Sequence, residues 1–347
     1  MILAAGYGTR LWPLTVDRTK PAIPILGKPL VGYVAEYLSR YDCREVVVNL
    51  HHEPESVRRA LGDGGRFGVR LEYIEEETIL GTSGALDNAR HLLEGETFVV
   101  INGKIVTDIN LRDALETHRR RNALATLVLL PNIRRERFSI VETRDGLITG
   151  FGGMPAPASD NASGNDDEES APLMFTGIHI LEPRIFDYIP RGVFSHSTTD
   201  VYPKAIAAGE PIAAHVARGN WHELSTIERY LDVSLALLRE TGQDILTGHT
   251  SCHIAKGAEV HSVVTGQACK ISGGAAVLES VLWDSVTVEE NASVRRAILA
   301  DGVRVPFGET VENAAVVRAD LVRGQGPPPK ALKGEFRGEN FVVPLPQ

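Results

Sequence analysis

Cysteine is scarce in this chain and follows no pattern. Cys43, Cys252 and Cys269 are odd in number, far apart and without metal-ligand spacing, so they read as reduced thiols of a cytoplasmic protein. A basic excess is missing as well. With 36 Lys and Arg against 45 Asp and Glu, the net charge is -9, which argues against a general nucleic-acid partner. No apolar run reaches the roughly 20 residues that span a bilayer, so no membrane partner is expected. The opening Met1-Ile2-Leu3-Ala4-Ala5 is too short for a signal peptide and reads as a first strand. What remains, 43% hydrophobic and 23% charged, is ordinary globular composition. At 347 residues the chain exceeds the size at which one core usually stops growing, so two domains are expected.

Up to about residue 130, short β-rich segments alternate with helical ones, the pattern of an α/β domain with a Rossmann-like, mostly parallel sheet. Strands are predicted at Met1 to Ala5, Glu45 to Asn49, Val69 to Ile74, Thr97 to Ile101 and Ala125 to Leu130. Helical spacing of apolar residues marks Pro29 to Ser39, Pro54 to Leu61, Ser83 to Leu93 and Leu111 to Arg121. The acidic stretch 159–170 has no large apolar residue and reads as a disordered loop. Met174 to Leu181 is a further strand, and a helix from Thr226 to Glu240 closes a first domain of residues 1–246.

After Thr247 apolar residues recur about every six positions: Ile254, Val260, Ile271, Val277, Val288, Val294, Ala300, Val305, Val311 and Val317. Such hexads predict a left-handed parallel β-helix over residues 247–323, with one residue per side pointing inward. A gap between Val260 and Ile271 and a five-residue step from Ala300 to Val305 interrupt the period. An antiparallel sandwich is the competing architecture. Residues 324–347, with Pro327-Pro328-Pro329, read as an extended tail.

The chemistry begins where the first strand ends, in Leu3-Ala4-Ala5-Gly6-Tyr7-Gly8-Thr9-Arg10-Leu11-Trp12-Pro13-Leu14-Thr15, followed by Lys20-Pro21. Small residues and glycines let backbone N–H groups approach a phosphate, and an arginine and a lysine supply compensating charge. Two familiar phosphate motifs are excluded. The dinucleotide fingerprint needs a third glycine where Leu11 stands, and a P-loop needs a closing Gly-Lys-Ser/Thr.

This string resembles the nucleotide-binding signature of sugar-1-phosphate nucleotidyltransferases, in particular mannose-1-phosphate guanylyltransferase-like and N-acetylmuramate-phosphate uridylyltransferase-like members. Further matches follow in order: Gly62 to Val69, Ile79 to Leu86, Asn102-Gly103, Phe175 to Ile178, and Trp221 with Thr226. The hexad domain is a common companion in that family. The resemblance implies transfer of a nucleotidyl group from a nucleoside triphosphate to a sugar 1-phosphate, with GTP and mannose 1-phosphate one candidate pair. It implies that Leu3, Ala4, Ala5, Gly6, Gly8, Thr9, Arg10, Gly81, Thr82 and Asn102 bind nucleotide, and that Ser139, Thr176 and Gly177 border the sugar. Arg10 falls to the leaving phosphates and Lys20 to the phosphate at the reacting centre. A homo-oligomer built through the β-helix domain is a further expectation.

The departures concern the metal and the sugar. Relatives carry Asn-Gly-Asp, whose aspartate binds Mg²⁺, where this chain has Asn102-Gly103-Lys104. Where relatives usually carry a second metal-binding aspartate, this chain has Glu223, and a Glu-Lys-Pro is replaced by Gly153-Met154-Pro155. Three readings stay open for Lys104: a catalytic substitute for the metal, a salt-bridge partner of Glu223, or a bystander with Asp108 as the true ligand. The overall function therefore divides between an enzyme of altered metal dependence and a binding protein that has lost turnover.

Overall fold

The computed structural model describes residues 1–155, 171–247 and 251–346, so the acidic stretch 159–170 lies outside the described residues. Contacts divide the chain into two compact units, one of Met1–Ala5, Val34–His51 and Gly62–Trp221, the other of Gly6–Tyr33, His52–Leu61 and His222–Gln347.

The first unit is built on a nine-stranded sheet of β1 (Ile2–Leu3), β2 (Glu45–Leu50), β3 (Arg70–Glu75), β4 (Phe98–Asn102), β5 (Ala125–Pro131), β6 (Ile140–Arg144), β7 (Leu147–Gly152), β8 (Leu173–Leu181) and β9 (Ile212–Val216). Its order is β3-β2-β1-β4-β8-β5-β9-β7-β6. Residues 46–50 of β2 are all buried, as in an interior parallel strand covered on both faces, whereas edge strand β3 has no fully buried residue. The core gathers Val100, Leu127, Leu129, Leu181, Tyr202 and Ile212.

The sheet is mixed rather than mostly parallel, which corrects the expectation. β1 runs parallel to β2 and β4, and β5 parallel to β9, but β8 is antiparallel to both its neighbours, and β7 to both of its own. The reason lies in the connections. Parallel neighbours need a crossover of a dozen residues or more, usually a helix, and no helix separates β6 from β7. Asp145 and Gly146, both with positive φ, turn that hairpin in two residues.

In the second unit the hexads form stacked parallel coils. Val260 pairs in register with Val277, Val277 with Val294 and Val294 with Val311, while Ile254, Ile271, Val288 and Val305 form a second ladder. Each coil is thus about 17 residues, divided as six, six and five. This removes both irregularities of the sequence pattern. The five-residue step recurs once per coil, and the gap is filled by Gly266, which stacks in line with Trp283 and Ala300. A Cβ at Gly266 would lie 2.3 Å from Asp284 Oδ1, so the apolar position is empty there for steric reasons.

The corners are equally regular. Left-handed backbone recurs at Gly257, Gly274, Asn291 and Gly308, at Ser262, Glu279, Arg296 and Asn313, and at Ala268, Ser285 and Gly302. Three corners per coil make a triangular section. Left-handed residues cost about 1–2 kcal/mol each outside glycine, and the ladder hydrogen bonds between coils offset them. The tail returns on the last coil: Asn340–Pro344 pairs antiparallel with Thr310–Arg318 and with Glu335–Arg337, burying Phe341, Val342 and Val343.

Candidate active site

In the first unit the parallel strands reverse direction of addition at β1. The chain builds outward through β2 and β3, then returns to place β4 on the other flank of β1. Ligands of open α/β sheets bind outside the carboxyl ends of strands at such a switch point. The residues at that end are Leu3, Asn49 and Asn102, which pair across the three strands.

Two residues that sequence reasoning passed over tie this end together. Asn49 accepts the Ala4 N–H at 2.8 Å and donates to Glu76 Oε1 at 2.6 Å, and Glu76 Oε2 accepts the Leu80 N–H at 2.9 Å. Both side chains are buried. The end of β1 and the segment carrying Gly81 and Thr82 are therefore held by one carboxylate. A polar residue at the end of an apolar strand run, as Asn49 is, was the available signal.

Gly81 and Thr82 open the helix Gly81–Asn88, which docks on residues 193–197. The Ser83 and Gly84 N–H groups both donate to Ser195 O, and the Ser195 N–H donates to Leu80 O. Thr82 Oγ1 accepts the Ser197 N–H at 2.8 Å, so its hydroxyl already fixes this docking. A Cβ on Gly81 would lie 2.4 Å from Ser195 O.

The structure brings Asn102 and Gly177 together. Gly177 sits in a bulge of β8, where pairing with β5 jumps from Phe175 to His179, and its φ is +82°. A Cβ there would fall 2.0 Å from Asn102 Nδ2. Thr176 serves the same bulge: its buried hydroxyl donates to Val128 O at 2.8 Å, and its carbonyl accepts from Trp221 Nε1 at 3.0 Å. Any contact of Thr176 with a sugar would thus be through backbone. Beyond the bulge, burial pushes the His179 imidazole down to about 3, so it stays neutral against the Tyr202 hydroxyl. Bulges next to active sites re-aim side chains.

Gly177→Ala tests this packing. The left-handed backbone costs about 1–2 kcal/mol and the clash with the Asn102 amide about 1–3 kcal/mol. Urea unfolding should show a loss of about 2–5 kcal/mol in total. A loss below about 0.5 kcal/mol would mean that the bulge rearranges freely.

Lys104 stands half-buried on the turn after β4, behind Gly103, whose N–H donates to Leu3 O at 2.9 Å. Asp108, the other ligand considered, is committed elsewhere: Oδ1 accepts the Asn220 N–H at 2.6 Å and Oδ2 its side-chain amide at 2.9 Å. Ser139 is exposed just before β6.

The second unit carries Gly6, Gly8, Thr9, Arg10, Lys20 and Glu223. Gly8, at φ +64°, opens a short turn over Thr9–Leu11, and a Cβ there would lie 3.1 Å from Thr15 Cγ2 and 3.2 Å from Lys20 Cβ. The loop is therefore folded onto Lys20. Gly6 differs, because a Cβ would meet nothing within 4 Å. The protein's own packing leaves open space at that position. Arg10 is exposed, whereas Lys20 is only 9% exposed, a burial lysine rarely accepts without compensation. Glu223 is buried, and its carbonyl accepts from Arg229 Nε at 3.0 Å.

Comparison with known proteins shows the family. The profile described as nucleotidyl transferase matches residues 1–240, and that described as GlmU-like, C-terminal hexapeptide matches residues 243–316. The chain is 33% identical over 244 residues to a UTP–glucose-1-phosphate uridylyltransferase of Synechocystis sp., covering 66% of this chain and 61% of the relative. It is 28% identical over 243 residues to a mannose-1-phosphate guanylyltransferase of Mycobacterium tuberculosis, covering 69% and 64%. It thus spans about three fifths of the length of these curated relatives. The solved structure of HddC from Yersinia pseudotuberculosis complexed with GMP-PN shares the fold, with TM-score 0.57 and 21% identity over 68% of this chain and 97% of that one.

Proposed function

We propose that this chain, which belongs to the nucleotidyl transferase family, joins a nucleoside triphosphate to a sugar 1-phosphate and releases pyrophosphate. The observation that carries the reading is the glycine string of residues 6–8. It follows β1 directly in the chain, its Gly8 abuts Lys20, and Arg10 lies between the two in sequence. A phosphate oxygen of the sugar phosphate attacks the α-phosphorus in line, forming the new P–O bond as the bond to the β-phosphate oxygen breaks. Positioning and charge do most of this work. Arg10 stabilises the departing pyrophosphate, Lys20 the phosphate at the reacting centre, and backbone N–H groups of the glycine loop the remaining oxygens. Gly81, Thr82 and Asn102 hold the nucleotide, and Ser139, Thr176 and Gly177 border the sugar.

Mg²⁺ is the cofactor of the wider family, and the residues here do not fit its usual site. The position that should carry a hard carboxylate oxygen carries the Lys104 ammonium, and Glu223 alone of the expected pair is acidic. Among the described residues, no group of three or more His, Cys, Asp or Glu side chains is placed to hold a metal ion. Lys104 takes the role of the missing cation in this reading, as a point charge beside the reacting phosphates.

The same reading divides the chain into a nucleotidyltransferase domain of residues 1–246 and a left-handed β-helix of 247–323, through which copies of the chain associate. Three free thiols and the absence of any helix long and apolar enough to cross a membrane, among the described residues, suit a cytoplasmic enzyme. The test is product detection by mass spectrometry with each of four nucleoside triphosphates and a panel of sugar 1-phosphates, GTP with mannose 1-phosphate first. A nucleotide sugar from at least one pair is expected. None from any pair, with or without Mg²⁺, would overturn the proposal.

A further inference from the structure

The nucleotide loop shares its compact unit with the β-helix, and the contacts between the two are specific. Arg18, two residues before Lys20, reaches a coil corner. Its guanidinium is ion-paired with Asp17 at 2.9 Å and with Asp301, and lies 4.7 Å from the ring centroid of Trp283. Asp301 is itself fixed in the coil, because Oδ1 accepts the Asp284 N–H at 3.0 Å. Trp283 Nε1 donates to the Tyr230 hydroxyl at 2.8 Å, which donates to Pro24 O at 2.6 Å. Trp12 meets Phe341 of the returning tail edge-on at 5.4 Å. The loop is thus held at three points, Trp12, Arg18 and Pro24, by residues more than 200 positions away.

Sequence economy supports a specific purpose. Trp283 occupies the coil position that Gly266 and Ala300 fill with almost nothing, and its ring lies against the Arg18 guanidinium, which also pairs with Asp301 on the next coil. The seam it closes leaves only about 50 Å³ of cavity, lined by Leu14, Arg18, Trp283 and Asp301 among others. The loop in turn is compact: the Leu11 N–H donates to Gly8 O at 2.8 Å, the Ile23 N–H to Lys20 O at 3.1 Å, and Gly8 abuts Lys20. Arg18 stands two residues before Lys20 in this compact segment.

We propose that Arg18, Trp283 and Asp301 are positioning residues for nucleotide binding: the β-helix sets the geometry of the loop that carries Arg10 and Lys20. This rests on the function proposed above for that loop. Coupling of this kind is reciprocal, so nucleotide bound at the loop must also steady the coil corner.

Hydrogen exchange on the full chain, with and without a saturating nucleoside triphosphate, tests both directions. In Asp301→Ala, amide exchange at Leu11, Leu14 and Ile23 should accelerate at least tenfold while Val277 and Val294, deep in the coils, keep their rates. Triphosphate affinity by calorimetry should fall at least fivefold, and Asp301→Glu should recover part of both effects. In the unmodified protein, nucleotide should slow exchange at Asp284 and Gly302. Unchanged loop exchange in Asp301→Ala, or acceleration spread equally over all coils, would overturn the brace. Faster loop exchange with unchanged affinity would overturn its role in nucleotide binding. If the unmodified protein bound no triphosphate, the function assigned to the loop would fail, and with it the role in binding. The exchange rates of Asp301→Ala would still decide whether the coil holds the loop.

Discussion

Lys20→Met is expected to abolish most nucleotide affinity while leaving the fold in place. Methionine keeps much of the length and all of the apolar stem at a position that is 9% exposed, so what is lost is the ammonium. A hydrogen bond to a charged group is worth about 1.5–3 kcal/mol, roughly 10- to 150-fold in dissociation constant. Calorimetric titration with GTP, UTP and dTTP should show that loss for whichever nucleotide binds best. Arg10→Ala should weaken binding less, because Arg10 is exposed and its charge is screened by water and salt. Wild-type affinity in both variants would remove the assignment of this loop to phosphate.

The second large effect concerns Lys104. If its ammonium stabilises charge as the phosphoryl bond changes, Lys104→Ala should lower kcat by about 100-fold or more, with a smaller change in KM. Lys104→Asp should make turnover depend on Mg²⁺, because a carboxylate then returns to the turn after β4 and supplies the ion with a hard oxygen ligand. Rates for the three forms, measured in excess chelator and in millimolar Mg²⁺, separate these outcomes. An unmodified enzyme fully dependent on Mg²⁺, and indifferent to Lys104→Ala, would show that the residue is a bystander.

Much of this was legible in the sequence because local chemistry and tertiary structure agree. The helices Pro54–Leu61 and Leu111–Arg121 lie where their apolar spacing predicts, and Thr226 caps Ile227–Glu240 by accepting the Arg229 N–H. Strand direction was not legible. The β-propensity of Leu173–Leu181 says nothing of which neighbours it will join, and it enters antiparallel between β4 and β5. In the β-helix the hexads were visible but the coil length was not, since one side of each coil is a residue shorter and Gly266 hides one apolar position.

The site divides along the same line. Glycines forced by geometry could be named from motif position, and Gly177 has a clear reason in the Asn102 amide. The links between motifs could not be read, because they join residues distant in sequence: Asn49 to Glu76 to Leu80 in one unit, Arg18 to Asp301 in the other. Motif position places Thr176 at the sugar, but does not say which of its atoms could face one: its hydroxyl donates to Val128 O across the bulge.

The central claim is nucleotidyl transfer, and pyrophosphate release measures it most directly. With a cognate pair, the protein should release one pyrophosphate per nucleotide sugar formed and none when the sugar 1-phosphate is left out. Lys20→Met should reduce that release by at least tenfold at limiting triphosphate. Pyrophosphate or phosphate appearing at the same rate without any sugar phosphate would indicate hydrolysis, and no release across the whole panel would indicate a binding protein; either result would contradict the account.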